Sequence, residues 1–136
     1  LWYRRSLHYT DSVLKNIFEE SKDLPLQAMI YVSDHGEDMK LTHTASPFQY
    51  NMVRIPLWIY LAPTYQQAYP QVTRQLRDHE NVVFTNDLLF DTISGILRAP
   101  SNFYSSQYDL TSPDYNITRD NALTLHGKKR IAEEGQ

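Results

Sequence analysis

Cysteine is absent from the 136 residues. That excludes a disulfide scaffold, a cysteine-ligated zinc centre and a thiol nucleophile. No apolar run approaches the roughly 18–20 residues that a bilayer-spanning helix needs. There is no field of one charge either: 13 Lys and Arg stand against 16 Asp and Glu, a net charge of −3. Attraction of nucleic acid or an anionic membrane by bulk electrostatics is therefore excluded. Internal repeats and low-complexity segments are missing too. What remains is a globular balance, 41% hydrophobic and 21% charged residues, with ten tyrosines whose simplest use is burial. The length fits one domain or part of one. Leu1-Trp2-Tyr3-Arg4-Arg5 runs directly into a helical pattern without an initiating Met or a signal pattern. The expectation is the interior of a longer protein, with any anchor or export signal upstream.

Val13, Leu14, Ile17 and Phe18 share one face of a helix expected over residues 7–22, which Pro25 ends because it disfavours helical geometry in the residue before it. Residues 26–33 read as a strand. Its continuous apolar run, Ala28 to Val32, is what a central parallel strand covered on both faces shows. A second strand is expected over residues 53–62, with Pro56 marking an edge or a bulge and Pro63 stopping it. Residues 65–79 form a helix broken or begun by Pro70, and residues 82–84 a third short strand. Asn86 is placed to cap a helix over residues 87–97. Turn signals after Arg98 predict a loosened chain, and the charged residues 127–136 predict fraying. The order predicts an α/β fold, part of a mainly parallel sheet flanked by helices.

The most informative residues are Ser33-Asp34-His35-Gly36-Glu37. They follow the first strand directly, at the end where ligand sites of open α/β sheets lie. Gly36 lets the backbone turn, so a carboxylate and an imidazole can reach one ion. Asp oxygen with His nitrogen suits zinc, or manganese and similar divalent ions. The alternative is a loop carboxylate beside a hydrogen-bonded histidine. His43, eight residues beyond His35, is a candidate further ligand or phosphate contact, or else a surface loop histidine.

Tyr31-Val32-Ser33-Asp34-His35-Gly36-Glu37 resembles the SDHGE segment of the alkaline phosphatase/sulfatase superfamily, above all of the bacterial phosphoethanolamine transferases. Three further stretches fit in the same order. Tyr9 to Leu14 resembles the start of the helix before that strand, and Val53 to Ile59 the strand after the metal loop. Asn86 to Ile96 resembles a late helix that carries a Thr and a Gly-Ile pair. The resemblance implies an alkaline phosphatase/sulfatase-like fold truncated at its N-terminus. Residues 1–97 would be the C-terminal portion of the catalytic domain, and 98–136 a loop-rich C-terminal segment of it. It implies Asp34 and His35 as metal ligands, with zinc as the metal. It implies His43 as a catalytic contact to the transferred phosphoryl group or to a second metal, and no direct catalytic role for Asp11, Asn86 or Asp87.

The chain departs from the family pattern in two ways. The His35–His43 segment is short and lacks the usual glycines, with Thr44 where a glycine commonly follows. The family's nucleophile and a further acidic ligand lie far upstream, outside this chain. The implied activity moves phosphoethanolamine from a phospholipid donor to a lipid A or core sugar of a glycolipid acceptor, through a phospho-Thr intermediate. The implied setting is the periplasmic side of a bacterial inner membrane, reached through an upstream anchor. The implied partner is the missing N-terminal half of the same protein, with no nucleic acid involved. Two alternatives stand beside it: a sulfatase or phosphoglycerol transferase on the same scaffold, and a non-catalytic α/β binding module.

Overall fold

The computed structural model describes residues 2–40, 47–124 and 127–134. Helix α1 (Trp2–Glu20) opens the chain and is closed by a tight 3-10 turn, Ser21–Asp23. It begins five residues before the expected start, because nothing among Trp2 to Ser6 breaks a helix. Strand β1 (Ala28–Val32) pairs with β2 (Leu57–Leu61) antiparallel, Ala28 opposite Leu61 and Val32 opposite Leu57. Pro56 stands just before β2, where its missing N–H costs no ladder bond, and its carbonyl accepts from Ser33 N–H at 3.4 Å.

The expectation of a mainly parallel sheet is not met by the described strands: both two-stranded sheets pair antiparallel. The apolar run in β1 does reflect cover on both faces. On one face Ala28, Ile30, Ile59 and Leu61 join the core built on Ala62, Tyr65, Val72 and Ile96. On the other, Tyr31 stacks on Trp58 and Phe18 of α1 meets Tyr60 edge-on, with centroids 5.7 and 4.9 Å apart. Two-sided burial explains an unbroken apolar strand whichever way its neighbour runs.

Pro63 and Pro70 each open a helix, α2 (Pro63–Ala68) and α3 (Pro70–Asp78), where a missing N–H is harmless. Residues 82–84 are not a strand; they run as irregular chain into a 3-10 turn, Asn86–Leu88, and then α4 (Leu89–Leu97). Asn86 caps neither element: the capping position of the 3-10 turn is Thr85 and that of α4 is Leu88, and no side chain caps either.

The chain beyond Arg98 is tied down rather than loose. Asp91 in α4 accepts from Ser105 N–H at 2.7 Å, and Thr92 accepts from Leu110 N–H at 3.1 Å. Thr92 thus bonds out of its own helix. Tyr65 O–H donates to the Ile96 carbonyl, Tyr115 O–H to the Val83 carbonyl, and the Leu110 carbonyl pairs with His79 Nδ1 at 2.8 Å. Burial raises the pKa of the Tyr65, Tyr104 and Tyr115 phenols above the usual range, so all three remain O–H donors.

The charged C-terminal residues are anchored as well. Strands β3 (Leu123–Thr124) and β4 (Lys129–Arg130) pair. Glu134 receives Arg54 at 2.8–3.1 Å and Arg119 at 3.1 Å. Those guanidinium groups, Arg54 first, hold the Glu134 carboxyl below the usual carboxylate range. A lowered folded-state pKa stabilises above the unfolded value and is lost as pH falls through the folded one. Amide protection factors in residues 129–134, the exchange rates corrected for the intrinsic slowing by acid, are therefore expected to be high at neutral pH and low on the acid side of the folded pKa. Glu134→Gln is expected to show low protection at both. Equal rates for wild type and variant at neutral pH would show the anchor to be idle.

Candidate metal centre

Asp34 and His35 lie just beyond the C-terminal end of β1. Their side chains turn to the same side, with Asp34 Oδ2 and His35 Nε2 3.8 Å apart. The Asp34 side chain is 89% exposed and that of His35 45%. The Asp34 carboxylate also accepts its neighbour's N–H through Oδ1 at 3.0 Å, which fixes its rotamer.

The imidazole is oriented by its other nitrogen. His35 Nδ1 lies 2.8 Å from the Gly36 carbonyl oxygen, which can only accept. Nδ1 therefore donates to that carbonyl, and Nε2 is the ring nitrogen on the Asp34 side. Metal-binding histidines are held by such a bond.

The donor chemistry fits zinc. A tetrahedral zinc with bonds of about 2.0–2.2 Å holds neighbouring donors about 3.4 Å apart, close to the separation found here. Among the described residues, no group of three or more His, Asp or Glu is placed to hold an ion. Two protein donors fall short of the three that a catalytic zinc keeps, so any further ligand lies outside the described residues. His43 also lies outside them.

The loop is supported from beneath by the 3-10 turn Tyr50–Val53. Gly36 N–H donates to the Met52 carbonyl at 2.6 Å. Gly36 does not adopt a left-handed conformation: among the described residues the one glycine with positive φ is Gly127. It is needed for close approach, since a Cβ there would lie 2.7 Å from the Asn51 carbonyl oxygen and 2.9 Å from that of Arg54. Asp38 is buried at 8% exposure, accepts Lys40 N–H at 2.7 Å and receives Asn51 Nδ2 at 2.5 Å. Asn86, from the start of the α4 segment, reaches the loop from the other side. Its Nδ2 donates to the Ser33 and Asp34 carbonyls at 3.1 and 3.3 Å.

Sequence reasoning missed Asn51, Asp38 and the grip of Asn86. Each acts through backbone carbonyls or a partner 13–53 residues away, which leaves no local signature. An Asn before a helix reads as a cap unless its partner is known.

A strand that delivers an Asp-His pair onto a glycine turn makes a candidate divalent-metal centre. The chain belongs to the sulfatase family, whose profile matches residues 2–97. That is a family of phosphotransferase and hydrolase type. The chain is similar to the phosphoethanolamine transferase EptA of Salmonella typhimurium, with 24% identity over 123 residues, covering 82% of this chain and 22% of the relative. It is 26% identical over 121 residues to the phosphoethanolamine transferase EptA of Escherichia coli, covering 79% of this chain and 22% of that protein. The chain thus spans about a fifth of the length of these relatives. No solved structure matches it. No helix among the described residues is long and apolar enough to cross a membrane.

Proposed function

We propose that this chain is the C-terminal part of the catalytic domain of a metal-dependent phosphoethanolamine transferase. The observation that carries the reading is the pairing of Asp34 Oδ2 and His35 Nε2 at 3.8 Å at the end of β1. The similarity to two phosphoethanolamine transferases supports it. Residues 1–97 would be the C-terminal portion of the sulfatase-like catalytic domain, and residues 98–136 its loop-rich C-terminal segment. The substrates proposed are a phospholipid donor and the lipid A or core sugar hydroxyl of a glycolipid acceptor. The nucleophilic Thr lies in polypeptide outside this chain, as does an anchor in a bacterial inner membrane. The catalytic part then faces the periplasm.

Asp34 and His35 would hold zinc, or another divalent ion of similar preference. When bound, zinc lowers the pKa of a coordinated hydroxyl and neutralises phosphoryl oxygens. Asp34 contributes negative charge and His35 a neutral nitrogen whose lone pair is aimed by the Gly36 carbonyl. His43 is proposed to steady an oxygen of the transferred group or to protonate the leaving group. The Thr hydroxyl would attack phosphorus and displace diacylglycerol, which takes up the proton, leaving a phospho-Thr that still carries ethanolamine. The acceptor hydroxyl would then attack the same phosphorus, accept the whole phosphoethanolamine group and return a proton to the Thr oxygen.

The test is zinc content and transfer in the full-length protein and in its Asp34→Ala/His35→Ala double variant. The wild type is expected to carry zinc and to move phosphoethanolamine from phosphatidylethanolamine to lipid A, read by mass spectrometry; the variant is expected to do neither. The isolated chain is expected to be inactive with excess zinc. Equal zinc content in the wild type and the variant would remove the metal role. A second reading, a sulfatase, draws on the family match itself. Hydrolysis of an aryl sulfate without lipid transfer would select it. Absence of both zinc and activity would leave a binding module.

A further inference from the structure

Asn86 is the first residue of the 3-10 turn that leads into α4, and its side chain caps neither element. Its carboxamide nitrogen is aimed backwards across 52 residues at the Asp34 carbonyl, 3.3 Å away, and at the Ser33 carbonyl, 3.1 Å away. The chemistry is specific. One carboxamide nitrogen carries two hydrogens and can give one to each of two neighbouring carbonyl oxygens, which the Asn and Gln side chains allow and those of Ser, Thr and Asp do not. Aspartate would suit the start of a helix better, because it complements the helix dipole. The residue present is the one that serves the loop.

The bond falls at the junction where it matters. The backbone of Asp34 sets where its side chain points, and the next residue is His35. On the opposite side Gly36 N–H is held by the Met52 carbonyl. The Asp34–His35 pair is thus held by two elements, by the Asn86–Leu88 turn through Asn86 and by the Tyr50–Val53 turn through Gly36.

We propose that Asn86 is a positioning residue for the Asp34–His35 metal centre. It holds the end of β1 so that both donors face one ion. The proposal rests on the reading of Asp34 and His35 as metal ligands. Asn86 is exposed, so its substitution opens no cavity and global stability should hardly change. Groups that orient metal ligands typically change metal affinity by about 10–100-fold when removed.

The experiment compares Asn86→Leu, close in shape but without donors, with Asn86→Gln, which keeps the two-hydrogen donor, in the full-length protein. Asn86→Ala is the second donor-free variant, in case the leucine disturbs folding. Zinc affinity is measured by competition with a chelator, and the cobalt(II)-substituted protein supplies a visible spectrum that reports ligand geometry. The Leu and Ala variants are expected to bind zinc about 10-fold more weakly and to shift the cobalt bands with an unchanged melting temperature. The Gln variant is expected to recover most of both. Wild-type zinc affinity and cobalt spectra in the Leu and Ala variants, while Asp34→Ala loses the metal, would overturn the role of Asn86 alone. Wild-type affinity in Asp34→Ala would overturn the metal reading beneath it, and the proposal with it.

Discussion

Gly36→Ala is expected to abolish tight metal binding in the full-length protein while leaving most of the fold in place. The added methyl would sit 2.7 and 2.9 Å from two backbone carbonyl oxygens and 3.2 Å from a third, those of Asn51, Arg54 and Met52. Backbone cannot swing aside as a flexible side chain can, so the loop must lift. Lifting breaks the 2.6 Å bond from Gly36 N–H to the Met52 carbonyl. It also moves the Gly36 carbonyl that holds His35 Nδ1. Overpacking of this kind costs about 1–3 kcal/mol, and the orphaned donor and acceptor add a similar amount. That is enough to move a loop, and less than a domain's usual stability of about 5–15 kcal/mol. Zinc affinity is expected to fall at least as far as on loss of an orienting group, about 10–100-fold. Transfer activity is expected to fall by about 100-fold, as for a misplacement of about 1 Å. Zinc competition and circular dichroism on the same sample check both halves. A Gly36→Ala protein with wild-type zinc affinity would show that the loop tolerates the methyl and does not set the ligands.

The Asp-His-Gly turn was legible because its chemistry is local: a strand, two ligand-type residues and a glycine in one stretch. The reason for the glycine was not, since the carbonyls it avoids belong to residues 51–54. Prolines 25, 63 and 70 marked their boundaries correctly, because a ring that lacks an N–H acts on its immediate neighbours. Strand direction was beyond reach. Apolar residues at every position of Ala28–Val32 report that both faces are covered, and α1 on one side with the Tyr65–Val72–Ile96 core on the other satisfies that with an antiparallel partner. Val82-Val83-Phe84 has the composition of a strand but no ladder among the described residues; its Val83 carbonyl is taken by the Tyr115 side chain. The Ser, Asp and Pro residues after Arg98 read as loop, and most of that segment is irregular. Its order comes from side chains of α4, which no turn signal can reveal.

Asp109→Ala is expected to be the most destabilising single substitution outside the metal loop, by about 3–5 kcal/mol. Asp109 is 1% exposed. Its carboxylate accepts Tyr104 O–H at 2.7 Å, Thr111 O–H at 2.8 Å and Thr111 N–H at 2.7 Å. Removing it orphans three donors in a place that water does not easily reach, and each orphan costs about 1–3 kcal/mol. It also empties the space beside Gly95, where even a methyl on the helix would overlap the Asp109 carboxylate and the Thr111 hydroxyl. The loop around residues 109–111 presses directly on the backbone of α4 for that reason. Loosening it exposes Thr92, which is fully buried beneath Leu110. Asp109→Asn should fall between, since the amide oxygen can still accept two of the three bonds while its NH2 faces donors. Urea denaturation of the three proteins gives the order wild type, Asn, Ala. If the Ala variant unfolded within about 1 kcal/mol of the wild type, the size of one ordinary net hydrogen bond, the segment beyond Arg98 would be held by its apolar contacts alone. The polar lock on α4 would then carry no weight in the fold.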